Sequence, residues 1–479
     1  MFWSGGPAHG DPSAHPLLDE FRFIDEMEQQ LDIPRGTPIL VSPTGQIDPR
    51  LTHFFSSPTF AQLSAGSRLS YGKDLRLWLA YLDSRGTDWA DASQQDLLRY
   101  KVWRRRRDLN PAAVSGTKWN RERAALLKLY RWASHPARAY VLLNPLSGDE
   151  DIALELYDKD AVSSRVKWAT PRTYRLWRDV GVLGYHTNGR RDDSWRGRNS
   201  TRNRAFVDLL FGSGLRNQEA SSLLTVELPE GAESDSLHEA RVSRETAKRR
   251  ARAFYLLDDS LKRVREYERT TRAAAVRRGR RLGNYSGTEW IHVSNVRASR
   301  FQALYFEGAW HDVNDIPITQ RRRLLLVNEE GQEPLWLWLR EDGLPFDPTS
   351  WDGVFDAANE RVERVMSAEG HRTVVLTAHS LRHSFALFML VALHRSIDRK
   401  YGEAPTRGKD YEVDRYRLAW DIVRDLLGHA SITTTKETYL EPVNGIRLQE
   451  MLANDTDLDG VLSRLALSDS RVRDLEVDP

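Results

Sequence analysis

The chain predicts a mainly α-helical protein with one small β-hairpin, divided into two domains, and three observations carry that expectation. Apolar residues recur at helical spacing through most of the chain from about Ser57 onward. A loose alternation over 241–256 (Val242, then Ala251, Ala253, Tyr255) surrounds the polar centre Thr246-Ala247-Lys248-Arg249 and reads as strand, turn, strand. An acidic, then polar stretch at 147–165 separates two runs of helices and reads as a linker.

Composition bounds the function before any motif does. The 479 residues are 40% hydrophobic and include 15 Trp, ample for sizeable cores. With no Cys, disulfides, thiol nucleophiles and thiolate metal sites are excluded, which suits a reducing cytosol. No apolar run reaches the roughly 18 residues of a membrane span, and the start Met-Phe-Trp-Ser-Gly-Gly-Pro lacks a signal-peptide pattern, so a soluble, cytoplasmic protein is expected. Net charge is only +2, yet basic residues cluster at Arg104–Arg107, Arg190–Arg204, Arg244–Arg252 and Arg277–Arg281. Local clusters govern phosphate binding more than the total does.

Taken in order, residues 1–56 form an amino-terminal extension expected to be partly disordered; 1–16 are polar and should be mobile, and Leu17, Phe21, Ile24 and Leu31 could form one amphipathic helix. Residues 57–146 predict a helical domain. Leu75, Trp78, Leu79 and Leu82 make one face ended by Gly86, Ser93-Gln-Gln-Asp96 is a capping box with Asp for the usual Glu, and Leu126, Leu129, Tyr130 and Ala133 mark a third helix. Arg104, Arg105, Arg106 and Arg107 close the second helix and could track a DNA backbone, although any one of them could equally belong to a solvated face.

After the linker, residues 166–479 form the larger domain. A helix from about Thr201 to Gly212 is followed by Gly214-Leu215-Arg216, a tight turn that presents Arg216 inward, with Glu219 three residues on as its partner. The Gly-Ser-Gly is no phosphate loop, because no Lys-Ser/Thr follows it. Residues 262–333 and 394–415 read as insertions, the first with an arginine-studded helix-like run, the second with a charged loop over Ser396–Asp414. Between them Trp351, Phe355 and Ala358 predict a helix. In Thr-Ala-His-Ser-Leu-Arg-His-Ser-Phe-Ala (377–386), Leu381, Phe385 and Phe388 repeat at helical spacing, so His379 and Arg382 should emerge together from the exposed side of a half-buried helix. Leu418, Ile422, Val423, Leu426 and Leu427 predict another helix, ended by Gly428 as a left-handed cap, with His429 next and Tyr439 ten residues later. Further helices are expected at 446–452 and 458–467.

Arg216, His379-x-x-Arg382, Gly428-His429 and Tyr439, in that order, resemble the signature of the tyrosine recombinases, the phage-integrase family. The resemblance spans roughly residues 60–445 and implies a helical SAM-like core-binding domain joined to a catalytic domain as a two-domain DNA clamp. It implies Tyr439 as nucleophile, Arg216 and Arg382 as phosphate binders, and His379 and His429 as hydrogen-bonding acid/base groups. Lys248 on the hairpin matches the family's general acid. No cofactor or metal is implied. His379 and His383 stand four apart as zinc ligands do, but Ser380 sits where a zinc hydrolase needs Glu. The implied partners are double-stranded DNA, a homotetramer on paired sites, in which a terminal segment docks on a neighbouring protomer, and an accessory directionality protein. The implied setting is the bacterial nucleoid. A type IB topoisomerase-like or hairpin-forming resolvase activity, or a non-catalytic DNA-binding regulator on the same fold, are the alternatives.

Overall fold

The computed structural model describes residues 1–4, 30, 33, 36–141, 144–146, 156–158, 168–229, 237–247, 251–297, 302–329, 331–401, 409–428, 458–468 and 471–474. The chain divides into two compact units, Met1–Ser163 and Ser164–Pro479, and is mostly helical with small sheets.

Among the described residues the main helices of the first unit are α1 (Pro49–Ser56), α2 (Ala65–Asp83), α3 (Gln94–Arg105) and α4 (Gly116–Ala133). Side chains that accept from otherwise orphaned amides start all four, beginning with Asp48, whose Oδ1 accepts from the Arg50 amide of α1 at 2.8 Å. Ser64 caps α2, Ser115 caps α4, and Ser93 with Asp96 forms the reciprocal box read from the sequence on α3. Leu75, Trp78, Leu97, Tyr100, Trp119, Leu126, Leu129 and Tyr130 fill the core. Each such side chain contributes about 2 kcal/mol through burial. Two of these aromatics are linked by their polar ends: Trp78 Nε1 donates to Tyr130 Oη at 3.0 Å, which donates to the Trp89 carbonyl at 2.8 Å.

Two expectations for this unit gain detail and a third, for Arg104, is corrected. The amino-terminal extension is in part structural: β1 (Phe2–Trp3) pairs antiparallel with β2 (Pro38–Ile39), and Leu51, Phe54 and Phe55 of α1 lie in the core. Apolar Trp3 and Met1 find a seat on α2 because Gly72 has no side chain there; a Cβ would meet each at 3.0 Å. The supposed linker is anchored over 156–158, where Leu156 is buried, its carbonyl accepts from Trp119 Nε1 at 2.7 Å, and Asp158 pairs with Arg105 at 2.5 Å. Finally, Arg104 is no DNA contact. It is 5% exposed and bonds Glu122 through Nε at 2.8 Å and Nη2 at 2.6 Å, whereas Arg105 is half-buried and Arg106 and Arg107 are exposed.

The second unit opens with β3 (Trp168–Ala169) and α5 (Pro171–Trp177), then α6 (Ser200–Ser213) and α7 (Asn217–Ser221). A hairpin of β4 (Leu237–Val242) and β5 (Arg252–Leu257) follows, in the register Leu237↔Leu257 to Val242↔Arg252. Next come α8 (Asp258–Tyr267) and α9 (Ala273–Leu282), joined by a π turn.

Residues 283–333, expected as an insertion, are woven into the main core. They hold two three-stranded sheets. One is ordered β11 (Gly331–Pro334), β10 (Leu324–Asn328), β6 (Ile291–Val293); the other is β7 (Asn295–Arg297), β8 (Ala303–Phe306), β9 (Ala309–Asp312). Ile291, Val293, Leu304, Phe306, Leu324 and Leu325 share a core with Phe206, Leu209 and Trp338. Buried Arg321 ties the region to the hairpin: its Nη1 donates to Val313 O at 3.0 Å and to Ser243 Oγ at 3.3 Å, and its Nη2 bonds Glu227.

The chain then forms α10 (Ser350–Ala368), α11 (Ala378–Tyr401) and α12 (Lys409–Leu427). Helix α6 is the central strut of the unit, packed on α8, β5 and α11. The charged stretch expected as a loop over Ser396–Asp414 is helical at 396–401 and 409–414. Charged residues other than Asp are good helix formers, and Leu393 and Ile397 fasten α11 to the core. On α12 the buried stripe is Ala419, Val423, Leu426 and Leu427, while Leu418, expected on it, is 64% exposed.

Helix α13 (Leu458–Ser468) and β12 (Val472–Arg473) pack on their own chain. Val461, Leu462 and Leu465 join Phe385, Leu390 and Val423 in a second cluster, and Val472 pairs in parallel with Trp168 of β3. Over 458–468 and 471–474 the segment expected to dock on a neighbour is thus seated in cis. The expected helices at 17–31, apart from helical residue 30, and at 446–452 lie outside the described residues.

Candidate active site

Gly214 is where the site begins. It ends α6 in the left-handed conformation at φ +63°, which an L side chain rarely adopts, and a Cβ there would lie 2.3 Å from Phe385 Cδ1 of α11. The turn therefore lets α11 approach and delivers Arg216 to the start of α7. Glu219 holds it there: Oε2 accepts from the Arg216 amide at 2.8 Å and Oε1 from Arg216 Nη1 at 2.8 Å.

Arg252, at the head of β5, takes the other side of the same carboxylate, with Nη1 to Oε1 at 3.0 Å and Nη2 to Oε2 at 2.8 Å. Glu219 is 1% exposed. Burial works to raise its pKa, but the bonds and charge of Arg252, with those of Arg216, hold the carboxyl below its ordinary range. In the sequence Arg252 is only one of several arginines crowding the hairpin. Its distinguishing signal, a cation at the first paired position of the strand, becomes meaningful once the strand register is known.

Arg382 departs from expectation. Instead of emerging from an exposed face it is 1% exposed, with its guanidinium bonded to two main-chain oxygens: Nη1 donates to Gly214 O at 2.5 Å and Nη2 to Leu427 O. Those carbonyls terminate α6 and α12, so the negative ends of two helix dipoles compensate the buried charge. Arg216 Nη2 donates to Gly428 O at 3.4 Å. Two arginines from distant segments thus meet consecutive carbonyls at one helix end, immediately before His429.

His379 lies in the first turn of α11, surface-accessible, with its ring edge-on to His383 at 4.2 Å between centroids. Partial desolvation, then the neighbouring charges of Arg382 and Arg216, push its imidazole below the usual histidine range. Ser380 serves the backbone of its own helix instead. Its Oγ accepts from the Thr377 amide at 2.7 Å while Thr377 Oγ1 accepts from the Ser380 amide at 3.2 Å, capping α11. Among the described residues no cluster of His, Asp and Glu could hold a metal.

Next to these groups a cleft of about 550 Å³ opens between the hairpin and the end of α12, lined by Arg216, Ala247, Ala251, Arg252, Tyr255 and Gly428 among others. Gly428 is left-handed at φ +64°, as expected, and a Cβ there would meet Arg252 Cδ at 2.5 Å. Lys248, His429 and Tyr439 lie outside the described residues; Ala247, which precedes Lys248, and Gly428, which precedes His429, line this cleft. The arrangement brings together Arg216, Glu219, His379 and Arg382; Arg104–Arg107 belong to the other unit.

Comparison with known proteins bears on the helical unit most directly. Residues 60–136 match the model of the phage integrase N-terminal SAM-like domain. None of the curated proteins compared with the chain matches it. Among solved structures, the chain is similar to a XerH site-specific recombinase bound to palindromic difH substrate in a post-cleavage complex, at 14% identity, covering 86% of this chain and 91% of that one, with a TM-score of 0.45. It is also similar to the Tn1549 transposon integrase in complex with transposon right end DNA (13% identity, 79% and 90% covered, TM-score 0.43) and to XerA recombinase (14%, 82% and 94%, TM-score 0.28).

Proposed function

We propose that the chain, which carries a phage-integrase type SAM-like domain at residues 60–136, is a tyrosine site-specific recombinase that cleaves and rejoins DNA through a 3′-phosphotyrosine intermediate. The observation that carries this reading is the convergence of Arg216 and Arg382 on the carbonyls of Gly428 and Leu427, with His379 close enough to feel both charges.

A phosphodiester already bears one negative charge, and attack on phosphorus builds more. Arg216, whose side chain is 32% exposed, meets the non-bridging oxygens from the cleft side, and buried Arg382 adds charge from beneath. His379 and His429 donate hydrogen bonds to the same oxygens. Tyr439 supplies the nucleophile. At pH 7 a phenol of pKa near 10 is ionised in only about one molecule in a thousand, a deficit of roughly 4 kcal/mol that this cationic surrounding offsets. The new bond joins the Tyr439 oxygen to phosphorus, the bond from phosphorus to the 5′ oxygen breaks, and Lys248 protonates the departing 5′-hydroxyl. A 5′-hydroxyl from a second duplex reverses the step, so no external energy source enters the balance. Duplex DNA in the cytoplasm, on the nucleoid, is the substrate, and a tetramer on paired sites, aided by a directionality protein, performs the exchange.

The test is a nicked duplex that loses its 5′-hydroxyl fragment on cleavage. It should accumulate a denaturant-stable protein–DNA adduct with the wild type and none with Tyr439→Phe. A partner duplex should yield exchanged strands. Relaxation of supercoils without exchange would reassign the activity to a topoisomerase, and DNA binding without any adduct would leave a regulator.

A further inference from the structure

Two consecutive helices carry many cations and treat them oppositely. On α8, Lys262 pairs with Asp258 at 2.6 Å, Arg263 with Glu266 at 3.2 Å and Arg265 with Glu268 at 2.6 Å, so that face is neutralised locally. Helix α9 reads Ala-Ala-Ala-Val-Arg-Arg-Gly-Arg-Arg-Leu and contains no acid. Arg277, Arg278 and Arg281 are exposed, and among the described residues none of them is in an ion pair.

These arginines line a cleft of about 890 Å³ together with Arg280, Arg340 and the single acid Glu341, which accepts from Asn199 Nδ2 at 3.2 Å. The wall is rigidly mounted. At Gly279 a Cβ would lie 2.3 Å from Tyr285 Oη, which donates to Gly343 O at 3.0 Å. Asn284 Nδ2 donates to Asp342 O at 2.9 Å, and Arg280 Nε to Gln332 O at 2.7 Å. At the other end, buried Arg272 donates to Leu337 O at 3.1 Å and Trp336 O at 3.2 Å. Complementing the helix dipole accounts for the last-turn residues Arg280 and Arg281, but not for Arg277 and Arg278 or for the concavity.

We propose that this cleft binds the sugar–phosphate backbone of duplex DNA, at a place separate from the phosphate assigned to Arg216 and Arg382. The recombinase reading supplies only the reason that DNA is present. From Arg277 to Arg281 the helix axis advances about 6 Å. Over that length one strand of a duplex presents about two phosphates, within reach of the three long guanidinium side chains. Such a contact positions DNA without reading its sequence.

The test compares the combined variant Arg277→Ala, Arg278→Ala, Arg281→Ala with its all-Lys counterpart and with Arg263→Ala plus Arg265→Ala. Affinity for a long duplex is measured across roughly 50 to 200 mM salt. The Ala variant should lose affinity equally on all sequences, with the salt slope smaller by about one unit per arginine removed. The Lys variant should retain the slope, and the α8 variant should match the wild type. An unchanged slope and affinity in the Ala variant overturns the proposal. So does a change confined to self-association, which would make the cleft a seat for an acidic protein segment. A shifted slope in a protein that forms no covalent adduct would remove the recombinase reading and leave this cleft standing.

Discussion

Glu219 and Arg252, 33 residues apart in the chain, form a two-pronged ion pair, 3.0 and 2.8 Å between guanidinium nitrogens and carboxylate oxygens, and Arg216 bonds the same carboxylate. One buried acid therefore fixes a proposed phosphate-binding arginine to the hairpin that leads to Lys248. Removing one member of a buried pair strands the charge of the other, at a cost of about 3–5 kcal/mol. Glu219→Gln should lower unfolding free energy in urea by about 3 kcal/mol and cut adduct formation even where the protein stays folded. Arg252→Lys should retain part of the stability but less of the cleavage rate, because Lys cannot bridge both oxygens.

Gly214→Ala tests the turn that joins α6 to Arg216. A left-handed residue costs about 1–2 kcal/mol, and the clash with Phe385 adds about 1–3 kcal/mol. Unfolding should be easier by about 2–5 kcal/mol. Shortening the obstacle in Gly214→Ala plus Phe385→Leu should recover the clash component only.

The basic run at the end of α3 should separate into two kinds of residue. Arg104→Met leaves buried Glu122 with only the longer contact to Lys118 at 3.3 Å and should destabilise the helical unit by about 3 kcal/mol. Exposed Arg107→Ala should change stability by less than about 0.5 kcal/mol, and any effect it has should be on DNA affinity. Denaturation and salt-dependent DNA binding, measured on the same samples, distinguish the two.

Stability should also report on His394, which is 2% exposed and whose pKa burial pushes down to about 4 from an unfolded value of 6.5. Between those values the unfolded chain binds a proton that the folded chain does not, so stability falls as pH drops from about 6.5 toward 4 and levels below. The difference amounts to about 3 kcal/mol at most. His394→Leu should flatten that part of the pH profile relative to the wild type, whereas an identical slope in both would place the titration elsewhere.

Local signals are readable in the sequence and long-range ones are not. Ser93 and Asp96 form the box their spacing announces, α6 ends at the Gly214 turn, and Glu219 meets Arg216, because each depends on residues within a few positions. Arg104 reads as surface because its compensating acid, Glu122, lies on another helix. The sheets of 291–334 escape the sequence reading because their strands are three to five residues long, too short to establish a period, and β6 pairs with a strand some thirty residues away. Arg382 reads as exposed because sequence spacing does not reveal that two helix ends supply oxygens to bury its charge.

In the proposed reaction Tyr439 attacks the phosphate gathered by Arg216, Arg382 and the two histidines. Protease digestion of the trapped adduct and mass spectrometry of the DNA-bearing peptide tests it most directly. A single modified residue, Tyr439, joined to a 3′-phosphate, is expected, with the yield collapsing in Arg216→Ala and Arg382→Ala. A nucleotide found on another side chain, or an adduct that persists in Tyr439→Phe, would contradict it.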